Sequence, residues 1–161
     1  MKLGLGSYSY RWSIGHKDRT PSSPITCIEL LGITSKLDLD VLQIADNMPV
    51  HNIETQTLDQ LYRTAQKQGI NLEIGMQSFS TESIKLYLDI AQRLDARILR
   101  IALDGNDVGT SDDIIAKEFK NILPTAEKIN CKIAIENHFA FPSDRMAKII
   151  KLVDEEYLGA C

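Results

Sequence analysis

The sequence predicts an α/β fold of the (β/α) barrel type, incomplete, with about five to six of the eight strand–helix units such a barrel contains. Three observations predict it. Six short strand-like runs alternate with stretches of helical period along 161 residues. The runs recur roughly every 30 residues, the size of one right-handed strand–helix–strand crossover. The runs also alternate in polarity, whereas parallel strands covered on both faces by helices are apolar throughout.

The strand-like runs are Leu3–Tyr8, Val41–Asn47, Asn71–Gln77, Ile98–Asp104, Lys132–His138 and the opening of a sixth at Leu158–Cys161. Between the first two, Ser23 before Pro24 reads as a helix start, with Ile25, Ile28 and Leu31 on one face. Leu58, Leu61, Tyr62 and Ala65 form the next stripe, which Gly69 stops. Ser80 precedes a stripe of Ile84, Tyr87, Leu88, Ala91 and Leu94. Ile115, Phe119, Ile122, Ala126 and Ile129 make a longer one, with a kink expected at Pro124. Ser143 reads as the cap of a helix carrying Met146, Ile149, Ile150 and Val153. No linker or low-complexity tract divides residues 1–161, so the reading is a single domain, the N-terminal portion of a barrel.

Alternation assigns each strand two faces. Leu5, Leu42, Ile44, Leu72, Ile74, Leu99, Ile101, Ile133 and Ile135 must meet the helices, with Leu3 expected beside them. The opposite face carries Gln43, Glu73, Arg100 and Glu136 on four successive strands. Helices over that face would leave these groups poorly satisfied. A barrel gathers them in its lumen, where they pair with each other or with a ligand. Glu73 and Arg100, on neighbouring strands, are expected to form a structural ion pair, and Gln43 a satisfied buried amide.

Composition sets the outer limits. The chain is 43% apolar and 25% charged, an ordinary globular balance. With 22 acids against 18 bases, well mixed, it shows no basic stripe of the kind that grips nucleic acid. No apolar run approaches the roughly 20 residues of a membrane span, and no signal peptide opens the chain. Cys27, Cys131 and Cys161 are far apart and in no ligand spacing, so a reduced, cytoplasmic protein is expected.

Glu136-Asn137-His138 is the most informative cluster. Glu136 ends a strand on the inward face, where barrel enzymes keep their chemistry. A carboxylate there can bind a divalent metal or take a proton from carbon next to a carbonyl. The competing role is an ion pair with Arg100 and nothing more. His138 shares the parity of Glu136 nearer the rim and either contacts substrate or caps the next loop. Tyr8, Tyr10, Trp12 and His16 follow the first strand and form either a sugar-stacking wall or ordinary loop packing. Gly4-Leu5-Gly6 lacks the third glycine of a dinucleotide fingerprint. Phosphate-binding loops and nucleophile elbows are absent from the sequence.

An ordered series of segments resembles the sugar phosphate isomerase/epimerase family of xylose-isomerase-like TIM barrels. It runs through Val41-Leu42-Gln43-Ile44-Ala45-Asp46-Asn47-Met48-Pro49, Leu72-Glu73-Ile74-Gly75, Tyr87-Leu88, Ala96-Arg97-Ile98-Leu99-Arg100-Ile101 and Ile133-Ala134-Ile135-Glu136-Asn137-His138. The resemblance implies aldose–ketose isomerisation or epimerisation on a sugar or sugar phosphate. It implies a divalent metal, manganese first and magnesium, cobalt or zinc as substitutes, held fully only by a complete barrel. It implies Glu136 as metal ligand and acid/base carboxylate, with His138, Tyr8, Trp12 and Asn47 as substrate contacts. The family's other ligands come from later strands, and Tyr157-Leu158-Gly159-Ala160-Cys161 resembles its sixth strand cut short. The expectation is therefore a fragment with little activity of its own, prone to self-association through exposed sheet edges. A non-catalytic binding or assembly module is the alternative. An abasic-site endonuclease on the same barrel needs histidines where this chain has Asn47 and Gln77, with His51 only in the loop beyond.

Overall fold

The computed structural model describes residues 2–16, 19–77 and 79–161. Six parallel strands lie in one sheet in chain order: β1 (Gly4–Gly6), β2 (Val41–Ile44), β3 (Asn71–Gln77), β4 (Ile98–Ala102), β5 (Lys132–Glu136) and β6 (Leu158–Ala160). The helices are α1 (Arg11–Ile14), α2 (Cys27–Lys36), α3 (Thr55–Gln68), α4 (Thr81–Leu94), α5 (Asp112–Lys128) and α6 (Ser143–Val153). Strand order equal to chain order, with helices between, is the topology of a partial TIM barrel.

The polarity alternation describes the two faces well. Leu42, Ile44, Ile74, Leu99, Ile101, Ile133 and Ile135 are all fully buried on the helix side. They pack against Leu30, Leu61, Ile84, Leu88, Phe119 and Ile149 from the helices. Each such side chain contributes about 1.5–3 kcal/mol by leaving water, so this layer holds the fold together. Leu3 is the exception at 56% exposure, because it precedes β1 and has no helix above it.

Two helix starts differ from expectation. α2 begins at Cys27 with Thr26 as its cap, not at Ser23 and Pro24, through a capping box in which Thr26 Oγ1 accepts from the Glu29 amide and Glu29 Oε2 accepts from the Thr26 amide. The Ile25 amide donates to the Ser13 carbonyl, which keeps the preceding segment out of the helix. α6 starts at Ser143 itself, with Pro142 in the cap position and no side-chain cap. Ser80 caps α4 as expected, its Oγ accepting from the Ser83 amide. Gly69 ends α3 at φ +68°, a conformation that suits glycine. α5 continues through Pro124.

Register decides what meets in the lumen. Gly6, Gln43 and Glu73 are neighbours in one layer. Gly75, Arg100, Ala134 and Gly159 form the next, and Gln77, Ala102 and Glu136 the layer above. The expected Glu73–Arg100 pair is therefore not formed. Glu73 instead accepts from Gln43 Nε2 at 3.0 Å, which satisfies both groups, while Arg100 lies opposite Gly75 one layer higher. Strands β1, β2, β4 and β5 are also shorter than the sequence runs. Their last residues leave the sheet to form the loops at the C-terminal end.

Candidate functional site

A cleft of about 860 Å³ opens at the C-terminal ends of the strands. Its floor is Arg100, set between the small neighbours Gly75 and Ala134. Arg100 Nη1 donates to Glu136 Oε1 at 3.0 Å, and Nη2 reaches Asp46 Oδ1 at 3.4 Å. The three side chains are 13%, 26% and 19% exposed, so two carboxylates share one guanidinium in a half-enclosed site. Asp46 also accepts from Tyr8 Oη at 2.7 Å. Burial first, then this bond to an acid, pushes the Tyr8 phenol up to about 12, so it remains a hydroxyl donor.

Asn47 stands beside Asp46 on the cleft wall and is held by Ser7, whose Oγ donates to Asn47 Oδ1 at 2.5 Å. Ser7 Oγ also accepts from the Ala45 amide at 2.9 Å. A fully buried hydroxyl thus ties the first loop to the second.

Gln77 and His138 line the opposite wall, and behind them two aspartates accept from their neighbours. Gln77 Nε2 donates to Asp104 Oδ2 at 2.6 Å, and the Asp104 amide donates to Asp107 Oδ2 at 3.0 Å. Asp107 Oδ2 also accepts from the Phe79 amide at 2.9 Å, linking the loops after β3 and β4. His138 lies against this group with Nδ1 3.9 Å from Asp104 Oδ2.

Of the residues singled out from sequence, Glu136, His138, Tyr8, Asn47 and Arg100 line the cleft. Gln43 and Glu73 pair in the layer beneath. Trp12 stands outside it, 57% exposed, with the Arg11 guanidinium 5.1 Å from its ring centroid and the His16 ring at 5.6 Å. Arg11 and His16 from the same loop do reach the cleft. His51 is turned to α4, its Nδ1 2.8 Å from Tyr87 Oη. Asp46 and Ser7 had no signal in strand parity, whereas Asp104 shares the lumen parity of Arg100 and Ala102. Asp46 follows β2 after the chain has begun to turn, and a period of two assigns it to the wrong face. Tyr8 before it and Asn47 after it, both polar and both at strand ends, are the one sequence clue.

Glu136, the metal ligand expected from sequence, stands at a strand end on the lumen side, and its carboxylate is engaged by Arg100. Among the described residues no three His, Cys, Asp or Glu side chains are grouped so as to hold a metal ion. These residues do not fit a metal by themselves. No helix of the described residues is long and apolar enough to cross a membrane.

Five βα units and a sixth strand, with a polar lumen and a cleft at the strand C-termini, make this a partial TIM barrel, and its fold is of the xylose-isomerase-like type. The comparison with solved structures bears this out. A D-psicose 3-epimerase crystallised in the presence of D-fructose superposes with a TM-score of 0.76 at 16% identity, covering 99% of this chain and 62% of that one. A xylose isomerase-like TIM barrel protein from Mycobacterium smegmatis in complex with magnesium superposes at 0.67 and 14% identity, covering 99% and 63%. In sequence, the 3-oxo-isoapionate decarboxylase of Pectobacterium atrosepticum is 26% identical over all 161 residues, which span 58% of that relative. No protein-family model matches the chain.

Proposed function

We propose that these residues form the substrate-facing first part of an enzyme that moves a proton at carbon next to the carbonyl of a polyhydroxylated sugar, as an isomerase or epimerase. The position of Glu136 carries the reading. It stands at the C-terminal end of β5, on the lumen side, beside a guanidinium and within a cleft of sugar size. There the carboxylate takes the proton from carbon, and the C–H electron pair moves into the enediolate. Arg100 fixes the carboxylate, and Tyr8 and Asn47 offer a hydroxyl and an amide to substrate oxygens.

The D-psicose 3-epimerase with D-fructose supports a sugar ligand, and the magnesium complex supports a divalent cation in proteins of this fold. Manganese is our first choice for the cation. Glu136 is the one ligand these residues supply, so the rest of the set would come from chain outside them, and the 161 residues alone would be nearly inactive. The proposed substrate is a small sugar or sugar phosphate, and the proposed compartment is the cytoplasm.

A second reading has one specific support, the decarboxylase relative matched along the whole chain. Loss of carbon dioxide from a 3-oxo sugar acid also leaves an enediolate: the bond from carbon 2 to the carboxyl carbon breaks in place of a C–H bond, its electron pair moves into the enediolate and carbon dioxide departs, so the same site would serve. One experiment separates the two. A protein containing the complete barrel is incubated in deuterium oxide with D-fructose or with a 3-oxo sugar acid. Deuterium entering the ketose supports proton transfer, and carbon dioxide release from the acid supports decarboxylation. Glu136→Gln should slow ketose exchange by about 10²–10⁴-fold. Unchanged exchange in that variant overturns the role of Glu136.

A further inference from the structure

We infer that Asn47 donates a hydrogen bond to the carbonyl oxygen of the substrate, and that Ser7 is the positioning residue that turns its amide nitrogen toward the cleft. This rests on the sugar-carbonyl reading of the site and adds which substrate oxygen the loop after β2 reads.

Two contacts with Ser7 leave the Asn47 amide one orientation. The Ala45 amide can only donate, so Ser7 Oγ accepts it at 2.9 Å and sends its own hydrogen to Asn47 Oδ1 at 2.5 Å. The Ser7 carbonyl can only accept, so Asn47 Nδ2 faces it at 3.3 Å. Turning the amide over would set two oxygens against each other. Ser7 is fully buried directly after β1, so the frame that holds Asn47 is shielded from solvent. One Nδ2 hydrogen is spent on the Ser7 carbonyl. The other is left for the cleft that Asn47 lines.

The facing wall has the opposite polarity. The Gly105 amide first and the Gln77 side chain second hold the Asp104 carboxyl below the ordinary aspartate range, so it only accepts. Gln77 therefore turns its nitrogen to Asp104, at 2.6 Å, and its Oε1 accepts from none of the described residues. An oxygen there suits a hydroxyl and repels a carbonyl. The carbonyl belongs at Asn47, next to Asp46, on the side where Arg100 joins Asp46 to Glu136. As Glu136 takes the proton, the C–H pair forms the carbon–carbon double bond and the carbonyl pair moves onto oxygen. A donor already aimed at that oxygen stabilises the new charge without reorganising.

The test follows the side-chain amides of the nitrogen-15-labelled chain by NMR, with Asn47 assigned through Asn47→Asp. The two Asn47 Nδ2 hydrogens should exchange with water at different rates, and the rates should converge in Ser7→Ala. Equal rates in the unsubstituted protein, or unequal rates that persist in Ser7→Ala, overturn the role of Ser7. The probes are D-xylulose, a ketose with an open-chain carbonyl in solution, and xylitol, the same chain with an alcohol in its place. D-xylulose should move an Asn47 Nδ2 hydrogen downfield, and xylitol should not. An equal response to both overturns the carbonyl contact. Asn47→Asp keeps an oxygen for Ser7 and removes the donor. It should bind D-xylulose about tenfold more weakly, read from the Gln77 amide, and xylitol as before. Unchanged D-xylulose affinity in that variant overturns the inference, even where Ser7→Ala does not fold. Probes that shift neither Asn47 nor Gln77 overturn the sugar reading of the cleft instead, and the exchange rates still decide the role of Ser7.

Discussion

The guanidinium of Arg100 fills the space that a side chain at position 75 would need. A Cβ on Gly75 would lie 3.1 Å from Arg100 Nε and 3.4 Å from Ala45 Cα. The glycine across the β3–β4 register is thus what lets an arginine lie flat in the lumen and reach both Glu136 and Asp46. Gly75→Ala should push Arg100 off Glu136 and cost about 1–3 kcal/mol, read by urea denaturation. A variant of unchanged stability would show that Arg100 has room to spare.

Removing the hub itself should be felt at the cleft. Arg100→Met leaves two carboxylates facing each other with no donor between them. We expect a loss of about 1–3 kcal/mol and a greater gain from added salt than the parent shows. Equal stability in the two proteins would mean that solvent already carries these charges.

Two aspartates should give opposite slopes of stability against pH. Burial raises the Asp107 carboxyl above its ordinary value of 3.8. Its stabilising contribution is thus complete below that value and is lost as pH rises through the raised one. Asp107→Asn keeps an oxygen for the Phe79 and Asp104 amides and cannot ionise. Relative to the parent, it should gain stability in thermal melts as pH rises above the ordinary value of 3.8. Asp112 behaves the other way. The side chains of Lys148 and Arg145 hold it below its ordinary value, so its contribution is present above 3.8 and lost as pH falls through the lowered value. The deficit of Asp112→Asn should accordingly shrink on acidification. Equal slopes for the two variants would refute both assignments.

Arg145 is the clamp between α6 and the loop after β4. It donates to Asp112 Oδ1 at 2.7 Å and to the carbonyls of Val108 and Thr110 at 2.6 and 2.5 Å. Its guanidinium also lies 4.6 Å from the Phe141 ring centroid. Arg145→Met should cost about 1–3 kcal/mol and raise amide exchange first in residues 105–111, measured by hydrogen–deuterium exchange. Loss of protection spread evenly over the chain would argue against a local clamp.

The three thiols should separate by reactivity. Cys27 and Cys131 are buried, and burial pushes the Cys131 thiol up to about 12, so neither offers thiolate at neutral pH. Cys161 is exposed. A colorimetric thiol reagent should therefore modify one cysteine in the folded protein and three after unfolding, and Cys161→Ser should remove the early reaction. Two fast thiols in the folded state would contradict the packing around Cys27 or Cys131.

Local pattern was enough for the strand–helix order, the buried and lumenal faces, and the placing of Glu136 at the mouth of the sheet. A period of two and a period of 3.6 are properties of the backbone, and every residue from Leu42 to Ile135 that the pattern assigns to the helix side obeys them. Tertiary structure alone decided the partners. Whether Arg100 meets Glu73 or Glu136 depends on the stagger between neighbouring strands, a difference of one layer to which side-chain periodicity is blind. Asp46 entered the cleft, and Ser7 came to lie beneath it against Asn47, because the chain turns out of the sheet after Ile44 and Gly6. Beyond those points alternation no longer says which way a side chain points, and packing between loops takes over.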